Sequence, residues 1–497
     1  MEKNLIIVAG GLNTRYKELS NFAKVILPFI LNDETTTCLK NSYTVFDDFN
    51  KYVIVDSKFY KQVCNYIKSN GLNITCIESF DHTNSFNTIY SCLDRLPNEN
   101  LLFLWSDIIL NTKINLTESL TNCIFTKPGN YRYMANKDGL TRCDSNGNVP
   151  GVYYIKDKST IKRTSNYADF VELFNDIEFE TRQIRTKLLE LRDKEVYLSE
   201  LKSNSNSEAR GRYFNSFTVN KEEGTITKVS DKEHEHLIQK EVLWYNKVSD
   251  LNISPKLLSN TNNSMTISYL GGYNNFYKVL NESNSYLVEK LINLLRDIFN
   301  KSEKIKPNVQ QFFTDMKVEL YDKVLDRINS IKDMLLDYDE ADFNRTIRLA
   351  FAVICNHFNS LDEATTYYTT FHGDLNGSNT MISGEDFKFI DPRGYFGKTV
   401  GSGPLFYEIA KVYYCVSGYD DFNASINYLY YNAQNYTHPK PLIKLDIDPY
   451  YRLVVGIIWV CLASYIADNI MKVNISYQFG LKMIKDALKS VNNKCIL

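Results

Sequence analysis

A chain of 497 residues is too long for one ordinary core, so two domains are expected and a third is possible. With 57 lysines and arginines against 59 aspartates and glutamates, the formal net charge is -2, which leaves no bulk basic field for holding DNA or RNA. The ten cysteines are scattered, with no C-x-x-C pair and no histidine cluster beside them, which argues against a structural zinc site or a secreted disulfide framework and favours a reducing, cytoplasmic setting.

The opening "MEKNLIIVAGG" carries an apolar run of only a few residues that ends in glycines, so it reads as a buried strand and not as a signal peptide. Up to about residue 110, "LIIVA", "KYVIVD", "NITCIES" and "NLLFLWSD" alternate with amphipathic stretches, the pattern of an α/β, mainly parallel, doubly wound sheet. "VYYI" adds another strand, and "YADFVELFNDIEFETRQIRTKLLELRDK" is expected to form one or two helices. The polar stretch from Lys202 to Gly211 breaks all periodicity and reads as a linker, which sets the domains at 1–203 and 209–497. Beyond it, "RYFNSFTVNKEEGTITKVS" signals a hairpin, "HEHLIQKEVLWYNK" a helix, and "MTISYLGG" a strand and hinge. A small β-rich lobe (about 209–272) therefore precedes a helical one (about 273–497), broken only by "FHGDLNGSNTMISGEDFKFIDPRG". The apolar run "LVVGIIWVCLASYIA" falls short of the roughly 20 residues that span a bilayer, so a buried helix and no membrane partner are expected.

In "IIVAGGLNTRYKELSNFAKVILPF" a strand ends at Gly10 and Gly11, with Arg15 and Lys24 following. Glycines at a strand end let backbone amides approach phosphate, and two cations suit a triphosphate; a plain tight turn with surface charges would look the same. Asp107 directly follows the apolar strand "LLFLW", where open α/β sheets bind ligands and where an oxygen donor suits magnesium. Ala-Gly-Gly-x-x-Thr-Arg with a lysine shortly before Leu-Pro resembles the N-terminus of sugar-nucleotide and choline-phosphate nucleotidyltransferases. Asn13 stands where a glycine is common, and Ala23 replaces the usual proline. The resemblance implies a Rossmann-like domain in which Gly10, Gly11 and Arg15 hold an NTP (CTP, UTP or GTP) and Lys24 contacts phosphates. It further implies that Asp107 holds magnesium, with Asp193 in "LRDKEVYL" as the second carboxylate, and that Asn87 and Thr88 lie near the base. The "GNVPGVYYIKD" strand resembles the one lining the acceptor side in that family.

His372-Gly373-Asp374, then Asn379, then Asp391 at the end of "FKFI", is the residue order that phosphoryl transfer from ATP needs. One aspartate accepts a hydroxyl proton, while an asparagine and a second aspartate hold magnesium against the phosphates. Turn chemistry alone explains Asp, Asn and Gly, but not three such groups in this order. The pattern resembles aminoglycoside phosphotransferases and choline kinases, and Asp-Pro-Arg-Gly is most like small-molecule kinases of capsule and surface-glycan gene clusters. Glu408 stands where that group usually has an aspartate. The resemblance implies a two-lobed, protein-kinase-like domain using ATP and Mg2+, with Asp374 as base, Asn379 and Asp391 as metal ligands and His372 in a structural role. Lys228, on the second hairpin strand, is the candidate phosphate-binding lysine. Leu237, Glu241 and Trp244 are spaced so that Glu241 interrupts an apolar helix stripe, and an inward carboxylate wants a cation such as Lys228. His234 and His236 fit a solvated helix face.

A kinase makes a phosphate monoester, and a nucleotidyltransferase consumes one with NTP to give an NDP-linked product. The two halves therefore suggest consecutive steps toward a glycan or surface-polymer precursor, with a sugar, an alditol, glycerol, choline or ethanolamine open as acceptor. Two other readings stand beside this one. A protein kinase with a regulatory first domain is disfavoured by Asp-Pro-Arg-Gly in place of Asp-Phe-Gly and by the lack of an Ala-Pro-Glu segment. A nucleotide-sensing module that has lost catalysis suits the first half better than the second.

Overall fold

The computed structural model describes residues 2–10, 22–31, 34–81, 83–114, 116, 121–136, 139–162, 167–186, 188–191, 215–424, 431–432, 435–436 and 438–494. Strands β1 (Asn4–Ala9), β2 (Asn50–Asp56), β3 (Thr75–Ser79), β4 (Glu99–Trp105), β5 (Cys123–Thr126), β6 (Val152–Asp157) and β7 (Glu180–Gln183) form one seven-stranded sheet. Its order is β7-β5-β6-β4-β1-β2-β3. Strand β1 pairs in parallel with β2 and β4, β2 with β3, and β7 with β5; β6 alone runs antiparallel, between β4 and β5. The run "LIIVA" is continuously apolar because both faces of β1 are covered: Leu5 and Ile7 enter one core, Ile6 and Val8 the other. Helix α1 (Ser57–Ser69) starts where the Asp56 carboxylate accepts from the Lys58 N–H, and it buries Phe59, Val63, Tyr66 and Ile67.

The segment expected as one or two helices near residue 170 folds otherwise. It makes a short 3-10 turn at Phe170–Asn175, the edge strand β7, and a strand at Leu188–Glu190 paired with Ile108–Leu110. Burial of Phe170, Val171, Leu173 and Phe174 under the sheet anchors the turn, and β7 reaches the unpaired edge of β5 within a few residues. Tertiary pairing overrides local helix preference there.

The second half opens with an antiparallel sheet of β8 (Asn215–Asn220), β9 (Thr225–Ser230), β10 (Leu257–Asn260) and β11 (Ser264–Ser268), in the order β8-β9-β11-β10. Helix α2 (Glu235–Lys247) packs on it. The helical body that follows includes α3 (Val309–Lys317), a π-turn at Val318–Asp322 and α4 (Lys323–Ile331). Later come the hairpin β12 (Thr380–Ser383) and β13 (Asp386–Phe389), then α5 (Leu405–Val416), α6 (Pro449–Leu462) and α7 (Ile470–Lys494). By length and composition the stretch from Pro449 to Ile466 could cross a membrane, and 67% of it is buried inside the fold, with Val455 and Trp459 fully enclosed. The proposed linker, Lys202 to Gly211, lies outside the described residues. Helix α1 reaches the second half directly: Asn65 Nδ2 donates to the Asp333 carbonyl (2.5 Å) and Asn70 Nδ2 to that of Ala467 (3.3 Å).

Candidate active sites

The segment from Phe371 to Gly394 is fixed by carboxylates buried beneath it. Glu408, on α5, takes the His372 N–H (2.6 Å), the Gly373 N–H (3.0 Å) and the Tyr368 hydroxyl (3.2 Å) on its Oε1. Burial pushes the Glu408 carboxyl up to about 7. Asp420 takes the Gly377 and Ser378 N–H groups, both at 2.8 Å. His372 donates through Nε2 to the Ile390 carbonyl (2.9 Å) and accepts the Asp374 N–H on Nδ1 (3.2 Å). Burial lowers its imidazole to about 4, so it is neutral near pH 7 and both nitrogens are engaged. That geometry gives His372 a positioning part.

Asp374 enters the cleft with its side chain 22% exposed and its Oδ1 2.7 Å from Lys411 Nζ. Burial alone would raise the Asp374 carboxyl, but the Lys411 ammonium outweighs it and holds the group below the usual carboxylate range. Asn379 Nδ2 donates to the Asp374 carbonyl at 2.9 Å and lies 3.4 Å from its Oδ2. In the hairpin register Thr380 faces Phe389, and the Ile390 N–H donates to the Asn379 carbonyl (3.0 Å). Asn379 and Asp391 therefore leave the same open end of the hairpin. Asp391 has φ +59°, a left-handed conformation that Asp and Asn tolerate better than most residues. One carboxylate and one amide oxygen suit Mg2+, which prefers few protein ligands and completes its shell with phosphate and water. Among the described residues no cluster of three or more His, Cys, Asp or Glu offers a fuller cage.

Lys228, on β9, places Nζ 2.7 and 3.0 Å from the two Glu241 carboxylate oxygens and also donates to Asp391 Oδ1. Burial works against the ammonium, yet Asp391 and Glu241 together raise its proton affinity. These groups share a cavity of about 720 Å³ between the antiparallel sheet and the helical body, roofed by Phe217 and Leu237.

Sequence reasoning missed Lys411, Arg393, Glu319 and Asp420 as parts of this site. A lone lysine within the apolar "LFYEIAKVYYCV" was the available signal for Lys411. Arg393 forms a two-point ion pair with Glu319, whose carboxylate also takes the Tyr407 hydroxyl at 2.9 Å. Only the fold brings those groups together.

In the first half, Gly10 closes β1 so tightly that an added Cβ would lie 2.2 Å from Thr88 Cγ2. The close approach, not a special φ, calls for glycine. Lys24 Nζ lies 2.9 Å from Asp107 Oδ2, in the turn after β4. Asn87 sits in the short helix Ser85–Tyr90, where its N–H donates to Asn84 Oδ1 and its Nδ2 to Thr83 Oγ1. The Thr88 hydroxyl bonds the Asn84 carbonyl, which leaves its methyl for packing on Gly10. Gly11, Arg15 and Asp193 lie outside the described residues.

No family model matches the chain, and no curated protein matches it. Solved structures similar to its N-terminal part include the CTP:phosphocholine cytidylyltransferase of Streptococcus pneumoniae, at 15% identity over 40% of this chain and 97% of that one, with a TM-score of 0.34. The inositol-1-phosphate CTP transferase of T. maritima is 10% identical over 42% of this chain and 98% of its own, with a TM-score of 0.32. A nucleoside-diphosphate-sugar pyrophosphorylase from Vibrio cholerae RC9 is 12% identical over 40% and 99%, with a TM-score of 0.33.

Proposed function

We propose that the chain is a bifunctional transferase. Residues 209–497 form a protein-kinase-like phosphotransferase that phosphorylates a small alcohol with ATP. Residues 1–203 are a nucleotidyltransferase that joins a nucleotidyl group to the resulting phosphate. The observation that carries the reading is the convergence of Asp374, Asp391 and the Lys228–Glu241 pair in one cleft, with Asn379 hydrogen-bonded to Asp374. ATP would lie with its base between Phe217 and Leu237 and its phosphates toward Lys228. Asn379 and Asp391 would hold Mg2+, whose contribution when bound is to offset phosphate charge. The acceptor hydroxyl oxygen attacks the γ-phosphorus, its proton passes to the ionised Asp374 carboxylate, and the bond to the β-bridging oxygen breaks to release ADP. Lys411 keeps Asp374 ionised for that step.

In the first half the new phosphate attacks the α-phosphorus of an NTP, and pyrophosphate leaves. Gly10 admits the phosphates close to the backbone, Lys24 offsets their charge, and Asp107 would hold a second Mg2+, with Asp193 as its partner. Asn87 would lie by the base. The two products suit a cytoplasmic route to an NDP-linked glycan or surface-polymer precursor. The deciding experiment supplies ATP with each of CTP, UTP and GTP and a panel of free and phosphorylated alcohols, and follows ADP and pyrophosphate separately. ADP release without pyrophosphate supports only the second half; neither product from any pair rejects the proposal.

A further inference from the structure

The phosphotransfer reading leaves a row of charges in the same cleft without a task. Glu319, Lys323 and Arg327 follow one another at four-residue spacing through the π-turn and along α4, so they share one face of the helix. Single π-turns are frequent at functional sites, because the extra residue re-aims the side chains that follow it. All three line the cavity that also holds Asp374 and Asp391. Glu319 is 3% exposed at its side chain and is shared by Arg393 and by Lys323, whose Nζ lies 2.6 Å from Oε1. Arg327 lays its guanidinium 4.1 Å from the centre of the Tyr465 ring and donates to the Tyr465 hydroxyl and the Cys461 carbonyl. No carboxylate among the described residues pairs with it.

Two cations thus share the Glu319 carboxylate, and Arg327 stands one turn beyond them with a ring, a hydroxyl and a carbonyl for partners. Burial above all, helped by Arg393 and Arg327, lowers the proton affinity of Lys323 despite its Glu319 partner. Through Arg327 and its bond to the Cys461 carbonyl the row reaches α6. It borders the part of the cavity walled by Tyr414, Tyr419, Ile458 and Leu462 from the C-terminal helices. On the phosphotransfer reading the nucleotide takes the Lys228 end, which leaves this part of the cavity to the acceptor, and the partly desolvated Arg327 guanidinium beside Lys323 wants an anion there.

We infer that Arg327 and Lys323 form an anion subsite of the acceptor pocket, so that the acceptor is a small alcohol bearing a carboxylate or phosphate instead of a quaternary ammonium or a neutral polyol. The inference rests on the phosphotransfer reading only for naming the bound molecule an acceptor. Calorimetry on the full-length protein with D-glycerate, glycerol 3-phosphate, glycerol and choline separates the cases, since the first three differ chiefly in charge. At least one acid should bind about tenfold or more tighter than glycerol and choline, and the tighter of the two acids names the head group. Arg327→Gln should erase that preference. Lys323→Gln, examined beside it, should reduce the preference too and covers the case in which Arg327→Gln folds poorly. Equal or tighter binding of glycerol or choline, no binding of either acid, or an intact preference in both variants would overturn the inference. ADP formation is scored separately: acid-selective binding without ADP rejects phosphotransfer and leaves the anion subsite standing.

Discussion

Lys411 Nζ and Asp374 Oδ1 are 2.7 Å apart, and the lysine comes from a helix 37 residues further along the chain. The pair sets the charge of the proposed base. With Lys411→Met the strongest charge opposing the burial of Asp374 is lost and its carboxyl rises, so the acid limb of the kcat profile for ADP formation should move to higher pH. A profile that keeps its acid limb in place would remove Lys411 from this role.

Asp374→Asn keeps the shape and loses the proton acceptor. ADP formation should fall by roughly 10²- to 10⁴-fold, while pyrophosphate release from a pre-phosphorylated acceptor continues. Wild-type ADP formation in this variant would end the assignment.

Asp391→Asn tolerates the left-handed backbone that alanine would strain, so it isolates the carboxylate. It and Asn379→Ala should each raise the magnesium concentration needed for half-maximal ADP formation. Unchanged magnesium titrations in both would exclude the two as ligands.

Lys228 and Glu241 have side chains 6% and 10% exposed, so breaking the pair leaves a charge stranded in the core. Lys228→Met should destabilise the second half by about 3–5 kcal/mol, and Lys228→Met with Glu241→Leu should recover much of that loss while remaining inactive. Urea unfolding tests this; a double variant no more stable than the single one would contradict it.

His372 carries a pH signature of its own. Its imidazole is held near 4 when folded against 6.5 in the open chain, so the unfolded state binds the extra proton between those values and stability is lost as pH falls through them. The gap amounts to on the order of 3 kcal/mol. Glu408 acts in the opposite sense: raised from 4.5 to about 7, it contributes stability that is lost as pH rises through that window. The deficit of His372→Asn relative to the parent protein should therefore shrink as pH drops from 6.5 toward 4.5. A deficit independent of pH would show that His372 is not buried neutral.

The parts of the second site that were legible in the sequence are those whose spacing is local. His372, Asp374, Asn379 and Asp391 lie within one loop and hairpin, and Glu241 betrayed itself by interrupting an apolar helix face. Lys411, Arg393 and Glu319 come together only through the packing of α5, the π-turn and a loop, which no spacing rule encodes. The stretch near residue 170 looked helical because its apolar residues recur at helical intervals, yet the unpaired edge of β5 took Glu180–Gln183 as a strand. In the first half, Gly10 and Asp107 were readable from strand ends and Lys24 from its place shortly before Leu-Pro, while the closeness of Thr88 to Gly10 was not.

Hydrogen bonds among the described residues join the antiparallel sheet and α2, with the loop after it, to the helical body. Trp244 Nε1 donates to the Thr370 carbonyl (3.0 Å), Lys388 Nζ to that of Asn252 (2.6 Å), and the Phe389 N–H to that of Ile253 (2.7 Å). The ion pair of Lys228 with Asp391 links β9 to the residues just past β13 as well. That pair keeps the lysine and the aspartate proposed for phosphate and metal occupied with each other, so on the phosphotransfer reading it is a latch that must part before a metal-bound nucleotide can take hold of either.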